Sequence, residues 1–287
     1  MKTLHKSKIK TRSPENPFDI RDKRAMVSIG PLSSKRHCPY SCPFCYVRAD
    51  FLSYAKVSLE TIREYLASNS GKYDIIYISG DTDSFARPRT SEGIALLRMC
   101  CTFGVDVMFT TRAVFSPSEL REVIALSQGL SSSGNILFGC GSVAQLRHPH
   151  IEPPPIARPS ERIAQLKAYK GSGIVSVLAM RPFLPIVPTD EYLEIIDQAA
   201  TAVDVILGET WYSDQTGVLD QGVFAAGTIP NYPHVLKRMD FDDNTAVWKV
   251  YAPEEKEAAI REHCLQLHIP FFMRSRPAIE HVRKLRR

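Results

Sequence analysis

Six short apolar runs recur along the chain, at residues 25–29, 74–79, 105–110, 135–140, 174–180 and 203–208. Most are apolar throughout and rich in Val and Ile, as strands buried on both faces are. Between them, apolar positions repeat at helical spacing behind recognisable start signals. Ser58 precedes Leu59, Ile62, Tyr65 and Leu66. Ser116-Pro-Ser-Glu119 is a capping box with proline at the first helical position, ahead of Leu120, Val123 and Ile124. Ser160 precedes Ile163, Leu166 and Tyr169, and Gly171 and Gly173 end that helix. Thr189 opens a further helix with Leu193, Ile196 and Ala200 on one face. Strands alternating with helices imply right-handed βαβ units and a parallel sheet. Six such units make an open or partial barrel, and its active residues belong at the carboxyl ends of the strands.

The remainder is less regular. Residues 147–159, RHPHIEPPPIARP, read as a proline-rich loop that can be neither helix nor central strand. Residues 211–250 have no clear period. Residues 253–268 read as a helix, and 269–273 as a last short strand or extended tail. The expected layout is a basic N-terminal extension (1–24), an α/β partial barrel of the (β/α)6 kind (25–210), and a C-terminal helical and extended segment (211–287) covering the barrel.

With 287 residues, 44% of them hydrophobic, the chain can bury one large core. It has no run of eighteen apolar residues, so no membrane-spanning helix is expected. The basic start, MKTLHKSKIKTRS, has no apolar signal core, and a cytoplasmic protein is expected. Residues 1–13 carry five Lys or Arg and no acid, and residues 274–287 carry six against Glu280. The tails thus hold +10 of a net +5, and the rest of the chain is −5. Such tails can bind a phosphate backbone, but short ones are read first as solvated, frayed ends. The seven cysteines are odd in number, which favours metal binding over a disulfide framework.

Three of them, Cys38, Cys42 and Cys45, fall within eight residues directly after the first predicted strand, in His37-Cys-Pro-Tyr-Ser-Cys-Pro-Phe-Cys-Tyr46. Iron–sulfur clusters are held by Cys thiolates, usually four. Three leave one iron open to a small molecule. The competing reading is a structural zinc loop with His37, Cys140 or Cys264 as fourth ligand, since zinc wants four.

The Cys-x3-Cys-x2-Cys spacing, with Phe44 before the third cysteine and a strand before the loop, resembles the radical S-adenosylmethionine (SAM) superfamily. The resemblance covers about residues 25–210. It is closest to the spore photoproduct lyase-like branch, where the third cysteine is followed by tyrosine, as Cys45-Tyr46 is here. It implies a partial radical SAM barrel, a [4Fe–4S] cluster on Cys38, Cys42 and Cys45, and SAM across the strand ends. Ser79-Gly80-Asp81 matches the turn that holds the SAM amine. Thr111-Arg112 stands where the branch has a base that can pair with the SAM carboxylate, and Ser142 near the ribose. Arg162, in Pro159-Ser-Glu-Arg162, matches an arginine that reaches the carboxylate. The strand containing Val177 resembles the segment against which adenine packs. Gly80 occupies the place of the lyases' hydrogen-donating cysteine, so photoproduct repair in that form is in doubt.

The implied chemistry is reductive cleavage of SAM to methionine and a 5′-deoxyadenosyl radical, which takes hydrogen from a substrate. Asp83, Cys140, Glu209, Trp211 and Tyr212 lie at predicted strand ends. Of these, Cys140, Glu209 and Tyr212 are the catalytic candidates. His148 and His150 read as solvated loop residues. The expected partners are an unidentified small-molecule substrate and an electron donor such as flavodoxin or ferredoxin, with nucleic acid as the alternative substrate class and no membrane. A non-catalytic iron–sulfur or zinc protein is the competing class.

Overall fold

The computed structural model describes residues 18–29, 38–46, 57–80, 82–224, 232–238, 247–251 and 254–286. A hairpin comes first, β1 (Asp19–Arg21) and β2 (Arg24–Val27), turning through Asp22 and Lys23. Both turn residues have positive φ, as a two-residue hairpin loop matched to strand twist demands. Helices and strands then alternate. They are α1 (Leu59–Ser68), β3 (Ile75–Ile78), α2 (Thr90–Cys100), β4 (Asp106–Thr111), α3 (Pro117–Ser132), β5 (Leu137–Ser142), α4 (Pro159–Gly171), β6 (Val175–Phe183), α5 (Thr189–Ala199) and β7 (Val205–Thr210).

The start signals are where the sequence puts them. The Ser58 side chain accepts from the Thr61 amide, and Ser116 and Glu119 form the reciprocal capping box. α4 begins at Pro159, with Arg158 as its N-cap. α2 is the one helix of this series without a recognised signal; its N-cap, Arg89, makes no side-chain cap hydrogen bond.

The strands form one curled eight-stranded sheet, a half-barrel, in the order β1-β2-β3-β4-β5-β6-β7-β11. The neighbours from β2 to β7 are all parallel. Alternate side chains on each strand go to opposite faces. The convex face carries Ile76, Ile78, Val107, Phe109, Leu178 and Ile206 into the core beneath the helices. There α4 lies close against β5, because Gly139 offers no side chain: a Cβ would stand 2.8 Å from the Tyr169 ring.

The last quarter of the chain is built differently from expectation. β8 (Tyr212–Ser213), α6 (Val218–Val223), β9 (His234–Arg238) and β10 (Val247–Tyr251) follow β7, and the three strands make a second antiparallel sheet, β8-β10-β9. Helix α7 (Glu254–Gln266) then leads back to β11 (Phe271–Phe272), which adds to the main sheet beside β7. The basic end is no frayed tail. It forms α8 (Ser275–Arg286), whose Ala278, Ile279 and Val282 pack on the concave face against Ile75, Met108, Phe138, Val175 and Val205. Two of its charges are spent within the fold. Arg276 forks onto Asp74 at 2.6 and 2.9 Å, and Arg283 donates to Asp106 at 2.6 Å. Both carboxylates sit at the amino ends of strands, so α8 fills the lower part of the half-barrel and leaves the carboxyl ends open.

Candidate functional site

The cysteine loop lies over those carboxyl ends. It is pinned at three places, each just past a strand. The Trp211 indole N–H, after β7, donates to the Phe44 carbonyl at 3.2 Å. The Tyr46 hydroxyl donates to the Gly80 carbonyl, after β3, at 3.4 Å. The Arg112 guanidinium, after β4, lies over the Phe44 ring, 5.4 Å from its centroid. Within the loop the Cys45 amide donates to the Cys42 carbonyl at 3.2 Å, a tight turn.

Cys42 is buried, and Cys38 and Cys45 are half-buried. Burial pushes the Cys42 thiol up to about 12; Arg112 opposes this, while Cys45, Glu152 and Cys38 reinforce it. Arg112 responds in kind: burial lowers its pKa, but the neighbouring Cys42 and Glu152 more than offset that. The three thiols and one guanidinium therefore share a neighbourhood. As they stand, no three His, Cys, Asp or Glu side chains among the described residues are gathered to hold a metal ion. The match to a cluster is one of donor chemistry and of place: three soft sulfur ligands in a dry loop, walled by buried Tyr40 and Phe44 and faced by a cation. His37, offered above as a fourth zinc ligand, lies outside the described residues. Cys140 belongs to the concave cluster and Cys264 is buried in α7 against the convex-face core.

Behind Arg112 stands a charge network that the sequence did not announce. Glu152, from the proline-rich loop, is buried with no exposed side-chain surface. It accepts from Arg112 Nε at 2.9 Å, from Arg162 Nη1 at 3.0 Å and Nη2 at 2.5 Å, and from Gln145 at 3.3 Å. Arg162, on the first turn of α4, also donates to the Ser142 carbonyl. Its Nε is buried without a hydrogen-bond partner. Burial raises the Glu152 pKa, but the two arginines outweigh this and hold it below the usual carboxylate range. Two guanidiniums around one carboxylate leave the group with a net positive charge.

The other candidates divide by face. Ser142 and Val177 point into the half-barrel with Cys140, as strand alternation requires. Thr111 points to the convex side. Its hydroxyl donates to Asp83 at 2.9 Å and accepts from the Ala113 amide, so it is spoken for. Asp83 is likewise internal: it also takes the amides of Arg112 at 2.7 Å and Phe85 at 3.0 Å. Ser79 has φ +72° and accepts from the Ser84 amide at 3.0 Å, which shapes the turn after β3. Asp81 lies outside the described residues. Trp211 is buried against Tyr251, and Tyr212 lies between Trp248 and Tyr46. His148 pairs with the buried Glu191.

One upper row on the concave face went largely unread. Tyr77, Thr110, Cys140, Arg181 and Glu209 share strand parity on β3 to β7. The Tyr77 and Thr110 hydroxyls meet at 2.8 Å. Burial pushes the Cys140 thiol up to about 11, against a hydrogen bond with Thr110 and the charge of Arg181. It is therefore a neutral thiol at ordinary pH.

Comparison with solved structures places this fold among known ones. A mutant of spore photoproduct lyase superposes with a TM-score of 0.65 at 13% identity, over 89% of this chain and 78% of that one. Another mutant of the lyase, with AdoMet and dinucleoside spore photoproduct bound, gives 0.63 at 13% identity, with the same coverage of both chains. Streptococcus suis SuiB bound to S-adenosylmethionine gives 0.60 at 13% identity, over 88% of this chain and 50% of that one. The chain thus spans about half the length of SuiB. Both proteins are radical SAM enzymes, and the shared feature here is the fold. No family model and no curated protein matches the sequence.

Proposed function

We propose that this chain is a radical SAM enzyme, with a [4Fe–4S] cluster held by Cys38, Cys42 and Cys45 and SAM bound beside it across the strand ends. The observation that carries the reading is the cysteine loop fastened over the open mouth of a half-barrel, with Arg112 against it. A cluster held by Cys38, Cys42 and Cys45 would supply one-electron reduction of SAM, the chemistry that yields a carbon radical able to take hydrogen from a substrate.

The chain's own residues bind, orient and dry the site. The Arg112–Glu152–Arg162 group offers net positive charge to the SAM carboxylate. The unpartnered Arg162 Nε supports this, because a buried donor left unpaired costs about 1–3 kcal/mol. Ser142 and Val177 line the path for ribose and adenine, and the Ser79-Gly80-Asp81 turn receives the amine. Trp211, Phe44 and Tyr212 keep water from the loop. The neutral thiol of Cys140 is a group that can give up a hydrogen atom.

A small-molecule substrate is favoured over nucleic acid. Two of the basic charges of α8 that could have met a phosphate backbone, Arg276 and Arg283, are paired with Asp74 and Asp106. Gly80 provides no thiol for photoproduct repair of the lyase kind. The reductant is a one-electron donor such as flavodoxin or ferredoxin. Among the described residues no helix is long and apolar enough to cross a membrane.

The test is anaerobic reconstitution with iron and sulfide, followed by SAM and dithionite. Brown protein releasing 5′-deoxyadenosine is expected. Cys38→Ala, Cys42→Ala and Cys45→Ala should each lose both properties, while Cys100→Ala, Cys101→Ala and Cys264→Ala keep them. A colourless protein holding zinc and yielding no 5′-deoxyadenosine would overturn the reading.

A further inference from the structure

The upper concave row holds two opposite charges that do not meet. Arg181 is half-buried at the end of β6, where its Nε donates to the Gly208 carbonyl at 3.3 Å and its Nη1 to the Ser275 hydroxyl at 3.2 Å. Both acceptors are neutral, and among the described residues Arg181 makes no ion pair. Glu209, two residues past Leu207 on the same face of β7, makes no hydrogen bond or ion pair there either. Glu209 is the nearest counter-charge and more than offsets the burial of Arg181 together with Tyr77 and Cys140, yet the two side chains make no ion pair, so each keeps hydrogen-bonding capacity for a ligand. Ser275, the first residue of α8, aims the guanidinium, and α8 itself fills the half-barrel below through Ala278, Ile279 and Val282. The helix thus makes a floor, and above it stand Tyr77, Thr110, Cys140, Arg181 and Glu209.

We infer that this row is the substrate site, and that it takes a small zwitterion: a carboxylate or phosphate on Arg181, with a nearby ammonium or N–H donor on Glu209. The bound molecule completes both charges at once. Its carbon skeleton then lies over Cys140 and the Tyr77–Thr110 hydroxyl pair, under the cysteine loop. The lower face is occupied by α8, which closes the row from below. This assignment names the substrate class for the reaction proposed above and rests on that proposal only for what happens after binding.

The experiment is therefore a binding measurement on the full chain, without turnover. The probes are the twenty L-α-amino acids, their carboxamides, and O-phosphoethanolamine, screened by thermal shift and followed by calorimetric titration; SAM is titrated separately. At least one amino acid, or O-phosphoethanolamine, is expected to bind wild type, the two arms separating a carboxylate from a phosphate ligand. The carboxamide of a binding amino acid should bind at least 10-fold more weakly. Arg181→Gln and Glu209→Gln should each weaken the ligand at least 10-fold, Arg181→Lys less, all with SAM affinity unchanged. Glu209→Gln is nearly isosteric, so it tests the site even if Arg181→Gln misfolds. Failure of every probe to bind wild type, wild-type affinity in Glu209→Gln, or an equal loss of SAM affinity would overturn the inference. Loss of the cluster in the cysteine variants bears on the proposed function alone and leaves this binding test intact.

Discussion

At the scale of single residues, Glu152 is the most consequential side chain that the sequence kept hidden. Its partners lie 40 residues before it and 10 after it, and nothing local in Ile151-Glu152-Pro153 marks a buried acid. The cysteines and Arg112 stand out in the sequence by their spacing and by a strand end, and the structure sets Arg112 over the Phe44 ring of the cysteine loop. For Thr111, one step of strand parity turns the hydroxyl from the mouth to the convex side, where Asp83 holds it. Removing Glu152 leaves two guanidiniums facing each other without a counter-charge. Glu152→Ala is expected to cost about 3–5 kcal/mol in urea unfolding of the cluster-free protein. A change within about 0.5 kcal/mol, the range of an ordinary surface substitution, would refute the network's importance. The pH dependence has a definite sign. Because the folded pKa of Glu152 is lowered, its contribution is complete above the ordinary carboxylate range and fades as pH falls through the lowered value.

At the scale of elements, helix starts were readable wherever the signal was local, as at Ser58, Ser116 and Pro159. The 211–250 segment was not, because its strands are short and their partners distant. β9 is exposed along its whole length and so has no alternation to read. α8 was hidden by its own charge, which resembles a solvated tail until Asp74 and Asp106 are brought beside it. The pairing makes a prediction about the helix as a unit. Replacing Arg276 and Arg283 together with Ala should speed amide hydrogen exchange throughout α8 while leaving β4 and β5 protected. Uniform protection in the double variant would show that the apolar stripe alone holds the helix. For Asp74, burial raises the pKa but the Arg276 and Arg283 contacts prevail and lower it. Acid should therefore loosen α8 as pH falls through that lowered value, and neutral pH should restore it.

At the scale of the whole molecule, the chain closes on itself over one mouth. The segment after β7 crosses to the cysteine loop through Trp211, and α6 presses on it so closely that a Cβ at Gly222 would stand 2.9 Å from Pro43. The second sheet stacks Tyr251 on Trp211 at 4.8 Å and tightens the same contact. Trp211→Phe keeps an aromatic ring but deletes the pyrrole half and its N–H, so iron content should be unchanged while the cluster bleaches faster in air. Equal bleaching rates would mean that the indole bond does not guard the loop. The barrel was legible from the alternation of apolar runs and helices. The cover was not, since contacts such as Trp211 to Phe44 join residues far apart in sequence. The central claim, a cluster with one iron open to SAM over this mouth, is tested most directly by electron paramagnetic resonance of the anaerobically reconstituted, dithionite-reduced protein, recorded with and without SAM. The account predicts the signal of a reduced [4Fe–4S] cluster whose g-values change when SAM is added. A reduced cluster whose spectrum is indifferent to saturating SAM, or the absence of any cluster signal, would contradict it.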